Sequence, residues 1–130
     1  MRLLLITAVC LHVLPAIGWA GMTFALARTG AADVERTFRP QMAAGGFAIL
    51  AGGVLWSLTQ GHAFGPVEQV LAAGALAAVM ALAIQAASAG PVLTRLAEQP
   101  SLRVRAALGQ RISALLIGLA VVCMVSARYV

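Results

Sequence analysis

Leu11-His12-Val13-Leu14-Pro15-Ala16-Ile17-Gly18-Trp19-Ala20-Gly21 places an ionisable imidazole inside an apolar run that extends from Leu3 to Ala27. Only Thr7, His12 and Thr23 interrupt that run. About 20 helical residues, each rising about 1.5 Å, cross the hydrocarbon of a bilayer, so this segment is long enough to span it with some tilt. An imidazole at that depth is costly and normally faces a protein partner, which makes His12 a functional candidate from the outset. Pro15 removes the amide that would bond the Leu11 carbonyl, predicting a freed acceptor and a bend beside His12.

The rest of the composition agrees with a membrane protein. Of 130 residues, 62% are hydrophobic and only 10% charged, too few polar residues to coat a soluble domain of this size. The formal charge of +5 comes from arginines alone, for the chain has no lysine. They flank the apolar runs, and no basic run is interleaved with aromatics, so the charge reads as a topology signal and excludes nucleic acid as a partner. Cys10 and Cys123 lie inside apolar runs without C-x-x-C spacing. No catalytic carboxylate pair, nucleophile motif, phosphate loop or zinc spacing is present.

Three further runs predict an all-α, single-domain (1–130) integral membrane four-helix bundle, with helices over about 3–27, 41–60, 67–90 and 106–128. Arg28 to Pro40 reads as the first loop, Pro40 as the first turn of the second helix, and Ser101 as a cap for the fourth. Gly45, Gly46, Gly52 and Gly53 repeat at heptad spacing, small positions where another helix can approach closely. Glu68 falls in the first turn of the third helix, where its charge complements the dipole. Arg2, the run Leu3–Leu14 and Gly18-Trp19-Ala20 also imitate the parts of a signal peptide, but hydrophobicity continues past the would-be cleavage point.

Four spans put Arg28, Arg36, Arg39, Arg95, Arg103, Arg105 and Arg111 on one side of the membrane and only Arg2 and Arg128 on the other. The positive-inside rule then predicts a multi-pass protein of a bacterial-type inner membrane, with long loops in the cytoplasm and both termini periplasmic. In that orientation His12 lies in the outer half, as do Cys123 and Met124 on the fourth helix, with His62 near the outer surface. These are ligand types for haem iron or copper, and they converge if the first and fourth helices are neighbours. His12 shares a helix face with Trp19, among small residues that leave room for a flat ring. The plainer alternative is that His12 bonds a freed carbonyl or a neighbouring helix, with the cysteines and methionines as packing residues.

The pattern Leu11-His12, Trp19-Ala20-Gly21-Met22, a basic loop with Glu35-Arg36, and a glycine-rich helix ending in Gly53-Val54-Leu55-Trp56 resembles the small four-helix membrane proteins related to HemJ-type protoporphyrinogen oxidase and the CopD copper-resistance domain. The resemblance implies b-type haem on His12, with Trp19 near the ring, Arg36 or Arg39 for the propionates, and a role in haem biosynthesis or membrane redox chemistry. Where the family's third helix carries a lysine near its start, this chain reads Glu68-Gln69, which separates haem binding from the oxidase activity. Two other readings stand beside it. One is a CopD-like copper protein using His62, His12, Cys123 or Met124; the other is a non-catalytic accessory subunit, packed in a homo-oligomer or a larger membrane complex.

Overall fold

A computed structural model describes residues 2–60, 64–90, 93 and 99–130. Among them are four helices, α1 (Arg2–Arg28), α2 (Val34–Thr59), α3 (Pro66–Ala89) and α4 (Pro100–Ser126), followed by a 3-10 turn over Ala127–Tyr129. All four are long and apolar enough to cross a membrane. Large apolar side chains point outward from each, with Leu3 81%, Leu50 73%, Leu76 62% and Leu115 76% exposed. A hydrocarbon surrounding accommodates such a surface, which water would not.

The helices close into an antiparallel ring. α1 packs chiefly on α2 and then α4, and α3 packs chiefly on α4 and then α2. The α1–α2 register is set by His12 against Gly52, Trp19 against Gly45 and Thr23 bonded to Gln41. The α3–α4 register is set by Cys123 against Gly74, Ser113 donating to the Ala81 carbonyl, and Ser88 against Gly109. Gly45 and Gly52 of α2 are thus notches that receive Trp19 and His12 of α1, and a Cβ at Gly45 would meet Leu82 at 2.7 Å and Trp19 at 2.8 Å.

Two helix starts differ from expectation. α2 begins at Val34, so Pro40 lies inside it rather than in its first turn, and the connection from α1 shrinks to residues 29–33. α4 begins at Pro100, with Gln99 at the N-cap position and Ser101 already helical, so Ser101 is not the cap. Both extensions are stabilised by an apolar cluster at this end, in which Leu26, Ala31, Val34, Ala89 and Ala106 are buried and Phe38 and Leu102 pack against them. Hydropathy falls where the chain leaves the hydrocarbon, whereas the helix continues as long as it has a face to bury.

α1 closes in a Schellman motif. Gly30 takes φ +63° and the Ala31 amide reaches back to the Leu26 carbonyl at 2.8 Å. Leu26 and Ala31 share the apolar cluster, supplying the hydrophobic contact that accompanies this cap. At the other end of the bundle the Gly65 amide donates to the Glu68 carboxylate at 2.8 Å, anchoring the start of α3 as the dipole argument anticipates. There the Arg128 guanidinium lies 5.3 Å from the centre of the Tyr129 ring, an interfacial cation–π pair.

Candidate functional site

His12 lies half-buried on the α1–α2 seam. Its Nδ1 is 2.8 Å from the Ala48 carbonyl oxygen. A carbonyl only accepts, so Nδ1 carries the proton, and in the neutral ring Nε2 keeps its lone pair. Gly52 permits the approach, since a Cβ there would sit 3.0 Å from His12 Cε1. The Ala48 carbonyl also receives the Gly52 amide in the helical pattern, and its two lone pairs serve both donors. The partner is therefore the neighbouring helix rather than the carbonyl that Pro15 frees on α1. Among the described residues no fully buried side-chain nitrogen or oxygen lacks a partner, and Nε2, which has none among them, is therefore accessible from its surroundings.

Trp19, one heptad further along, is 3% exposed. Its indole N–H donates to Gln85 Oε1 at 2.8 Å, across the bundle from α1 to α3. This bond opens a buried layer that the sequence reading did not assemble. The Thr23 hydroxyl donates to the Trp19 carbonyl at 2.8 Å and accepts from Gln85 Nε2 at 2.9 Å and Gln41 Nε2 at 3.0 Å. That is the full capacity of a hydroxyl. Gln41 and Gln110 then exchange two bonds, of 2.9 and 3.2 Å, across the other diagonal from α2 to α4. Thr23, Gln41, Gln85 and Gln110 are all 0% exposed.

The layer lies between two apolar clusters. Towards the basic loops is the Leu26–Val34–Ala106 cluster; towards the termini lie Trp19, Ala77, Ala78, Ala81, Ile117 and Ala120. From the layer to the opposite helix ends each span is about 20 residues, or about 30 Å, the thickness of a hydrocarbon core. Arg39 and Arg111 stand beside Gln41 and Gln110 in sequence, so the layer lies level with the first arginines at the basic end of the spans. A glutamine in the basic-side half of each of three helices, Gln41 on α2, Gln85 on α3 and Gln110 on α4, is the signal that identifies it. A search for ionisable ligands passes over amides.

The remaining candidate ligands are dispersed. α1 and α4 are neighbours, yet Cys123 packs on Gly74 of α3 while His12 packs on Gly52 of α2. Met124 is 39% exposed on the outer surface and Cys10 is also exposed. His62 lies outside the described residues. Among the described residues no three His, Cys, Asp or Glu side chains gather as a metal site. Arg36 and Arg39 are on the α2 extension at the basic end, and Arg39 is the nearer to His12, about 13 Å along the helix from the level of Ala48. No protein-family model matches the chain, and neither a curated protein nor a solved structure matches it.

Proposed function

We propose that this four-helix membrane protein binds b-type haem through His12 Nε2, in the manner of the HemJ/CopD-like proteins that its first two helices resemble. The observation that carries this reading is the Nδ1 contact with the Ala48 carbonyl. A metal-ligating histidine characteristically donates its other ring N–H to a carbonyl or carboxylate, which fixes the tautomer and raises the basicity of the ligating nitrogen. A five-coordinate haem asks for one axial nitrogen, and His12 Nε2 is placed to serve as it. Gly53 and Gly46 of α2 and Gly18 of α1 border open space, with no neighbouring atom within 4 Å of a Cβ built on them, and such small residues give a flat ring access to the seam. A bound haem b supplies one-electron chemistry at its iron. The chain's part is to hold His12 in one tautomer and to exclude water with its lipid-facing surface, while Trp19, 3% exposed and with its N–H committed to Gln85, fixes the helices on either side of the seam.

Copper binding has less support, because Cys123 and Met124 diverge from His12 and Cu(I) favours a convergent set of soft ligands. We also place the termini and the α2–α3 turn outside, with the basic end in the cytoplasm, from the arginine distribution. The optical spectrum of protein purified in mild detergent tests the haem reading. A Soret band that disappears in His12→Ala, with helicity by circular dichroism unchanged, is the expected result. A colourless protein retaining stoichiometric copper would replace this reading with copper handling, and one with neither group would leave an accessory subunit.

A further inference from the structure

We propose that the α1–α4 seam at the basic end of the bundle is a binding site for an anionic phospholipid, with Arg111 and Arg28 holding its phosphate. On α4, Val104, Leu108, Leu115 and Leu119 are 70, 57, 76 and 52% exposed. Stepping about 100° per residue puts them on one lipid-facing strip, and Arg111 falls within that strip. It is a guanidinium with exposed apolar side chains above and below it, at the level of the buried polar layer.

Among the described residues Arg111 has one protein acceptor, the Ala27 carbonyl, 3.4 Å from Nε. That contact ties it to the last turn of α1, beside the exposed Arg28, and offsets the partial negative charge at that helix end. The outward Nη groups of Arg111 remain, forming a fork suited to two phosphate oxygens. Neither helix can neutralise them, because α1 and α4 contain no Asp or Glu over Arg2–Arg28 and Pro100–Ser126. Arg103 and Arg105 add two further exposed cations one to two turns away on the α4 extension. Phe24 on α1 is 46% exposed, and Leu115 and Leu119, on the hydrocarbon side of Arg111, are 76 and 52% exposed, which gives acyl chains a surface. A phosphate with two chains below it matches this arrangement of charge over apolar strip, and a headgroup without a compensating cation matches the excess of arginine.

Thermal unfolding of the purified protein in detergent, titrated with phosphatidylglycerol, phosphatidylcholine or inorganic phosphate, tests the proposal. Phosphatidylglycerol is expected to raise Tm saturably, and phosphatidylcholine to raise it far less. Arg111→Gln and Arg28→Gln should each weaken the half-saturating phosphatidylglycerol concentration about fivefold, as expected for one interfacial arginine. Arg128→Gln, at the other end of the bundle, should leave it unchanged. Equal shifts from the two lipids, an undiminished response in Arg28→Gln and Arg111→Gln, or an equal loss in Arg128→Gln would overturn the proposal. The same saturable shift with inorganic phosphate would overturn the assignment to a lipid. If Arg111→Gln unfolds, Arg28→Gln, whose side chain is exposed, decides alone.

Discussion

Replacing Gln110 by Leu isolates the strongest element of the buried layer. Gln110 exchanges two bonds with Gln41 and is wholly enclosed, so the substitution leaves Gln41 with an unpartnered carbonyl oxygen and one unpartnered N–H. A stranded buried polar group costs about 1–3 kcal/mol in a water-soluble core, whereas interhelical hydrogen bonds in membranes average about 0.6 kcal/mol and reach about 1.7. Two bonds therefore predict a Gln41–Gln110 coupling of about 1.2 kcal/mol, and no more than about 3.4. Leu is close to Gln in volume, so packing contributes little. The double variant Gln41→Leu/Gln110→Leu removes both amides, and the Thr23 hydroxyl keeps Gln85 as a donor. It should accordingly be less destabilised than the sum of the single variants by the coupling energy. Unfolding by sodium dodecyl sulfate in mixed micelles, followed by tryptophan fluorescence, measures all four corners of the cycle. Additivity within about 0.5 kcal/mol, the scatter expected of independent sites, would refute the reasoning.

The adjacent glycines of α2 should respond oppositely to alanine. Gly45→Ala forces Leu82 and Trp19 aside and should cost about 1–3 kcal/mol in the same unfolding assay, while Gly46→Ala meets open space and should be neutral or stabilising by up to about 1 kcal/mol. Gly30→Ala places a Cβ at φ +63° and should lower stability by about 1–2 kcal/mol, whereas an unchanged midpoint would mean that the Schellman closure is dispensable. In a cysteine-free background, Phe64→Cys should react with an impermeant maleimide added to intact spheroplasts; reaction only after lysis would reverse the orientation.

Fold class and strand-free topology were legible because a bilayer imposes one length on every span, and four apolar runs, with arginines concentrated at two of their three connections, leave little choice. The heptad glycines also announced a close helix approach, and the structure identifies what enters them, His12 at Gly52 and Trp19 at Gly45. The starts of α2 and α4 were not legible from hydropathy. Val34, Phe38, Leu102 and Ala106 are spaced among arginines, and their common burial against Leu26 and Ala89 is a tertiary fact. The same holds for the acceptor of His12. Pro15 pointed to a carbonyl on its own helix, but which helix presents a carbonyl through a missing side chain depends on the α1–α2 register. Gln41, Gln85 and Gln110 become a layer only once four antiparallel helices are superposed at one depth.

Closure of that layer separates two roles along α1. The layer is saturated at Thr23, whereas the ring nitrogen left over on the α1–α2 seam is His12 Nε2. A layer whose side chains are 0% exposed is out of a ligand's reach; it fixes which helices lie diagonal to each other, and thereby holds α2 where its Ala48 carbonyl can select the His12 tautomer. Trp19 is the joint between the two, its indole N–H in the layer and its ring over Gly45, a heptad from His12. Trp19→Phe keeps most of the ring and deletes the bond to Gln85 Oε1, leaving that oxygen unpartnered in a fully buried position. The variant should lose about 0.6–2 kcal/mol in mixed-micelle unfolding, while the position and amplitude of a Soret band from haem on His12 stay as in the parent. A variant of undiminished stability would show that the indole bond contributes nothing to the layer. A full-stability variant with a displaced Soret band would instead make Trp19 part of the haem pocket and the division of roles along α1 wrong.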